Sequence, residues 1–343
     1  VPEAVLQVSG RDYAGWQRIR CELGMDRMAA RFELAVTDRW PDQAAPWPIR
    51  AGDACRLLLD GEPVLEGYVD ERRVEYDRAR HEVTITGRCR AGDLVDCSAP
   101  VGQTNGQTLL QIAQAVCKPF GIEVVAEADA GAPFTREYAE PGQTAQELLA
   151  ALAAHRGLLL MSDGLRLLLT REQATLAGGA LEYGANIEAA SIRDAMQERF
   201  AEVAVLHQGA QSDMWNGAQA TEQQAVARDP GVSARRKRTI LADDGGDLEA
   251  RARHEVRVRA GRARAITCTV SGWRTAAGNL WRPNTVAPVT DPNAAPALKA
   301  ERMLIVSVAW LLDEQGARTE MTLMRPGAFD ALAAPEQTPG LFG

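Results

Sequence analysis

The chain has 343 residues, with 38 Lys+Arg against 46 Asp+Glu for a formal net charge of −8, and is 46% hydrophobic and 24% charged. That balance excludes an intrinsically disordered chain and a nucleic-acid coat built on excess positive charge. At roughly 100–150 residues per core, two or three domains are expected, and no window approaches the ~18 uncharged apolar residues of a membrane helix. The opening VPEAVLQVSGRDY lacks the basic and apolar regions of a signal peptide, so a soluble cytoplasmic product is expected.

The first hundred residues read as antiparallel β structure. RIRCEL, RFELAV and HEVTITG alternate apolar and polar residues, and Asp60-Gly61 between RLLL and PVLEGYV is a hairpin signal. From about Thr104 the period changes. Leu109, Ile112, Ala113 and Val116 fall on one helical stripe, Thr108 with Gln111 forms a capping-box pattern, and Pro119 with Gly121 ends the helix. The strand GIEVVAE follows. Thr144 with Glu147 then opens a second capped helix that stops at Gly157, and LLLMSDGLRLLLT is a hairpin turning at Asp163-Gly164. Beyond Gly178 strands return: FAEVAVLHQG, then a polar stretch with a helix near DLEARARHEVRVR, then RAITCTVSG, ERMLIVSVAWLLD and ARTEMTLMRP. The Pro/Gly-rich tail ALAAPEQTPGLFG, with Leu341 and Phe342 near its end, is expected to be loose.

The two β regions echo each other. ARHEVTI at 79–85 and ARTEMTL at 317–323 share four identities, and Val83/Met321 and Ile85/Leu323 are apolar at matching places. IRCEL at 19–23 matches ITCTV at 266–270, and Trp47-Pro48 has a looser counterpart in Trp281-Arg282-Pro283. The expected fold is therefore α+β and predominantly β, with two similar antiparallel β-barrel domains in one chain, an intervening α/β module and a helical insertion in the second barrel. The boundaries are 1–97 for the first barrel, 98–178 for the module, 179–210 with 262–330 for the second barrel, 211–261 for the insertion and 331–343 for the tail. Two similar interfaces per chain would let a threefold ring present six nearly equivalent units. The matched hairpins, with Arg80, Glu82 and Thr84 on one and Arg318, Glu320 and Thr322 on the other, are the candidate ring-packing elements.

Motif chemistry is sparse. The six cysteines form no CxxC pair and are expected as buried free thiols. His81, His155, His207 and His254 lie far apart, none in HExxH, and neither GxSxG nor GxxxxGK[ST] occurs. No catalytic residue, cofactor or metal is expected. DDGGD at 243–247 lacks the ligand spacing of a calcium loop and reads as a solvated turn before a helix. Residues 235–264 carry ten Arg/Lys against five Asp/Glu. Arg235, Arg236, Lys237 and Arg238 are candidates for a channel lining or a subunit contact, with pairing to acids on a neighbour preferred over phosphate contact.

VSGRDYAGWQRIRCELGMDRMAARFELAV, GEPVLEGYVD and GRCRAGDLVDCSAP, followed in order by EYGANI, SGW, GNLWRPN, LIVSVAW and MRPGAF, resemble the baseplate hub proteins of Mu-like contractile-tailed phages, a group related to late control protein D. The resemblance covers nearly the whole chain except about 211–246 and the tail. It implies a structural, non-enzymatic homotrimer in the virion, assembled in the host cytoplasm, with no membrane insertion of its own. Such a ring would continue the hexameric tail tube, hold the trimeric spike and leave an axial passage for DNA. The alternatives are a spike component of a type VI secretion-like system, which would need Gly-rich β-helix repeats after the hub, and a tail-associated peptidoglycan hydrolase.

Overall fold

The computed structural model describes residues 2–37, 47–78, 81–100, 102–208, 222–242 and 247–333. The first section is all strand: β1 (Ala4–Val8), β2 (Arg11–Tyr13), β3 (Arg18–Gly24), β4 (Arg31–Val36), β5 (Ala54–Leu59), β6 (Glu62–Tyr76) and β7 (His81–Cys89). β5 and β6 meet at the Asp60-Gly61 turn, where both residues have positive φ, 48° and 77°, as a two-residue hairpin loop of matching twist requires.

The middle section comprises α1 (Ala91–Asp96), β8 (Gln103–Thr104), α2 (Leu109–Cys117), β9 (Val124–Ala126), β10 (Glu137–Tyr138), α3 (Ala145–His155), β11 (Leu159–Ser162) and β12 (Leu167–Thr170). Both anticipated capping boxes form. The Thr108 hydroxyl accepts from the Gln111 N–H and the Thr144 hydroxyl from the Glu147 N–H, each answered by the reciprocal side-chain bond. The helices bury Leu109, Ile112, Val116, Leu149 and Leu152 beside the small sheet β11-β12-β9. This module docks on the first section through the tip of the β11–β12 hairpin, where Gly164 accepts from the Glu66 N–H at 3.0 Å.

The last section contains β13 (Leu181–Glu182), β14 (Ile187–Asp194), β15 (Glu202–Gln208), β16 (Glu222–Arg228), β17 (Lys237–Ala242), α4 (Leu248–Arg262), β18 (Arg264–Ser271), β19 (Thr285–Asp291), β20 (Leu298–Asp313) and β21 (Gly316–Met324). Asp247 caps α4 by accepting from the Ala250 N–H, while the other acids of DDGGD lie outside the described residues. Within FAEVAVLHQG, expected in the second barrel, Glu202–Gln208 form β15, which instead centres a separate three-stranded sheet, β16-β15-β17, against which α4 packs. The expected insertion is thus a small α/β layer of its own.

The remaining strands of both β sections form one 13-stranded sheet with the path β14-β18-β21-β20-β3-β4-β7-β6-β5-β1-β2, β19 and β13 branching from β20. Two closed barrels were the expectation. Among the described residues the path is open, running from β14 through the β20–β3 pair into the first section. Strand order nevertheless recurs: β3-β4-β7-β6-β5 in the first section answers β14-β18-β21-β20-β19 in the last. The long hairpins even carry their irregularity at matching places, between Val69 and Glu71 in β6 and between Ile305 and Ser307 in β20. Aligning those bulges sets Glu71 against Ser307 and Thr86 against Thr322. The ARHEVTI/ARTEMTL match is therefore displaced by two residues from the structural correspondence, and IRCEL on β3 and ITCTV on β18 do not lie on corresponding strands at all.

Candidate functional site

The feature with functional content is the junction where the two halves of the sheet meet. β20 and β3 pair antiparallel from Ser307↔Gly24 to Leu312↔Ile19. Trp310 lies opposite Cys21, and both are fully buried. The Arg282 guanidinium sits 5.3 Å from the Trp310 ring and bonds Glu62 at 2.9 Å, while Arg274 reaches the other Glu62 oxygen at 3.3 Å. The junction thus combines a backbone ladder, an aromatic anchor and a carboxylate of the first section held by two arginines of the last.

On the opposite face Glu22 is nearly buried, yet Arg27 bonds it at 2.6 Å, Arg31 at 2.7 Å, and Arg20 also reaches it. Burial alone would raise its pKa, but the hydrogen bonds from Arg31 and Arg20 outweigh this and hold the carboxyl at about 2 instead of the ordinary 4.5. A carboxyl with a lowered folded pKa contributes stability that is fully present above about 4.5 and lost as the pH falls toward about 2. The Glu22→Gln chain is expected to unfold at lower urea than wild type at pH 7 by roughly 2 kcal/mol or more, because it leaves three guanidinium groups facing a neutral amide. The gap should close as the pH falls through that window; a gap unchanged at pH 2 would contradict the assignment.

The residues singled out from sequence distribute as follows. Glu82 on β7 pairs with Arg18, and Glu320 on β21 accepts from Arg20 at 3.2 Å across the small Ala309 that separates their strands. Arg318 is held by Asp313 and Gln315 at the β20–β21 turn. Thr84 and Thr322 sit in mid-ladder on strands flanked on both sides, so these hairpins offer faces and no free edge there. Arg80 lies outside the described residues. In the basic run, Arg236 donates to the carbonyls of Arg199 and Gln197 and Lys237 bonds Glu202 at 3.2 Å, while Arg238 lies 5.8 Å from the Phe200 ring and Arg235 is exposed. Much of that charge holds the small α/β layer together.

Five of the six cysteines are buried, with Cys55, Cys117 and Cys268 pushed up to about 12 chiefly by burial; Cys97, expected buried, is exposed. The histidines are separate: His81 stacks on Tyr76, His155 meets the Phe134 edge, and His207 and His254 contact the carbonyls of Ala242 and Asp330. Among the described residues no group of three or more His, Cys, Asp or Glu could hold a metal, and no helix is long and apolar enough to cross a membrane.

Three family models match in succession: "Mu phage baseplate assembly protein GpP-like, N-terminal" over residues 3–89, "Baseplate hub protein gp44-like, second domain" over 91–171, and "Mu phage baseplate assembly protein GpP, fourth domain" over 246–332. The crystal structure of the prophage MuSo2 43 kDa tail protein from Shewanella oneidensis is 35% identical, covers 96% of this chain and 100% of its own, and superposes with a TM-score of 0.84. The chain belongs to the family of Mu-like baseplate hub proteins. Another relative in this hub family is the baseplate hub protein gp44 of Escherichia phage Mu, 28% identical over 331 residues, which are 93% of this chain and 86% of that protein. A tail protein from Neisseria meningitidis MC58, 24% identical over 96% of this chain and 99% of its own, has the same fold at a TM-score of 0.78. The fourth-domain model begins at residue 246, so this hub family counts α4 with the closing strands. Sequence reading overlooked the β20–β3 seam, because its signal is only a pair of strands long and apolar enough to be covered on both edges.

Proposed function

We propose that this chain is a structural component of a phage tail baseplate, and that it works as a homotrimeric ring joining the hexameric tail tube to the trimeric spike around an axial passage for DNA. In this reading each subunit contributes two barrel-like portions, roughly 1–97 and 179–330 without the small layer, so that three chains present six similar units. The observation that carries it is the recurrence of strand order on the two sides of the β20–β3 junction. A chain with two units of like topology side by side already contains one step of a near-sixfold arrangement, and closed rings repeat such a step until rotation returns to the start. Function would then reside in shape and symmetry, with assembly in the host cytoplasm before incorporation in the virion.

Native mass measurement tests the stoichiometry, and electron-microscope class averages viewed down the ring axis test the symmetry. The expected result is a trimer whose end-on view has six lobes around a hole. A chain that stays monomeric at high concentration, or averages without a central passage, would overturn the proposal.

A further inference from the structure

The recurrence of strand order has a consequence for the two places where the sheet stops. β20 is flanked by β21 on one side; on the other, β19 covers its first part and β3 covers Ser307–Leu312. β6 has the matching arrangement with one member absent. β7 lines one side and β5 covers Glu62–Tyr68, but among the described residues no strand lies beside the outer half of β6 on the β5 side. The counterpart of β3 is β14, which ends the sheet path; among the described residues its one ladder partner is β18. One subunit therefore carries both halves of an unmade copy of its own β20–β3 seam.

We propose that the outer half of β6 pairs antiparallel with β14 of the next copy of this chain, with Val74 opposite Ile192. The inference deepens the trimeric-ring reading and rests on it. Its register comes from the ladders. The bulge alignment sets Trp310 against Val74, and Thr322-Thr267-Ser191 and Thr86-Glu33-Arg20 are matched steps across the two sections. Arg20 thus corresponds to Ser191 and Cys21 to Ile192. The internal pair Trp310↔Cys21 becomes Val74↔Ile192 between copies.

The side chains fit that assignment. Val74 and Ile192 are half-buried apolar residues whose immediate neighbours along the chain, Arg73, Glu75, Ser191 and Arg193, are exposed, and both lie against the margin of the main core. One step along, Leu312↔Ile19 becomes Tyr76↔Ala190, and Tyr76 is 77% exposed in the single chain. In the other direction Val308↔Leu23 becomes Arg72↔Asp194, a pair of opposite charge. Charged outward residues, Glu71, Arg73 and Glu75, punctuate β6 and discourage indiscriminate pairing of the open edge. The contact is head-to-tail, internal seam alternating with intermolecular seam, so three chains would close the open sheet into a continuous wall.

The test is an engineered disulfide in the full chain with the exposed Cys97 replaced by serine. Opposed residues of an antiparallel pair have Cα atoms about 4.5–5.5 Å apart, within the span a disulfide bridges. Val74→Cys with Ile192→Cys is expected to give covalent dimers and trimers on a non-reducing gel after mild oxidation. Val74→Cys with Arg193→Cys, whose side chain lies on the other face, should give little. Native mass measurement of the reduced protein runs alongside, with circular dichroism to confirm the fold. A trimer that yields no cross-link, or cross-links equally through the control pair, overturns this pairing and leaves the ring; a folded monomer overturns both. Ile192→Lys supplies a second reading: it is expected to shift the trimer to monomer with the strand signal retained, and an undiminished trimer would count against the seam.

Discussion

Trp310→Ala is expected to lower the stability of the sheet by about 3–5 kcal/mol, the range for deleting a buried aromatic side chain that its surroundings cannot refill. The ring is fully buried in the β20–β3 seam, opposite Cys21 on one side and Thr319 on the other, with Arg282 against it. Truncation would remove packing between the two halves of the sheet and leave Arg282 beside a void. Trp310→Phe should cost much less, and the reason is chemical as well as volumetric. The indole N–H of Trp310 is buried with no hydrogen-bond partner among the described residues, so phenylalanine loses apolar volume but also removes a polar group that had given up water without replacement. Urea unfolding followed by far-ultraviolet circular dichroism checks both. Equal midpoints for the alanine and wild-type chains would show that the seam does not hold the halves together.

The elements that sequence makes legible here are those decided within a few residues. Thr108 with Gln111, Thr144 with Glu147, and the Asp60-Gly61 turn each satisfy backbone geometry locally, and each forms as read. Strand partnership is different, because alternation says which face of a strand is buried and nothing about which strand lies beside it. β15 alternates well and yet joins the small sheet. The displaced ARHEVTI/ARTEMTL match has the same origin: sliding one amphipathic strand by two residues keeps every side chain on its face, so identity of pattern cannot distinguish the correct register from its neighbour two steps away. The bulges can, since an extra residue is fixed in one place on each hairpin. The edges on which assembly would depend are legible only once the whole path of strands is known. Cys97 escaped the expectation of burial for a related reason: it follows the short helix α1, where no period marks an inward face.

Gly67→Ala is expected to destabilise the first section by roughly 3 kcal/mol or more, or to prevent its folding, because the displacement needed exceeds what a packed ladder absorbs. A Cβ on Gly67 would lie 2.0 Å from the Arg88 carbonyl oxygen and 2.6 Å from the Cys89 Cα, and both obstacles are backbone. On the facing strand, a Cβ on Gly87 would meet the Tyr68 carbonyl oxygen at 2.3 Å and the Phe32 ring at 2.6 Å. The two glycines let β6 and β7 approach and coil where side chains would hold them apart. In the bulge alignment the corresponding positions of the last section are Met303 and Leu323, both fully buried, so recurrence of strand order does not make the halves interchangeable residue by residue. Gly87→Leu should therefore fail despite the leucine at its counterpart. Gly102→Ala is the control: no atom lies within 4 Å of its Cβ and its φ is not positive, so that chain should match wild type or gain a few tenths of a kcal/mol from a less flexible unfolded state. Soluble yield and urea midpoints of the three variants decide the matter, and a Gly67→Ala chain as stable as the Gly102→Ala chain would refute the close approach of these strands.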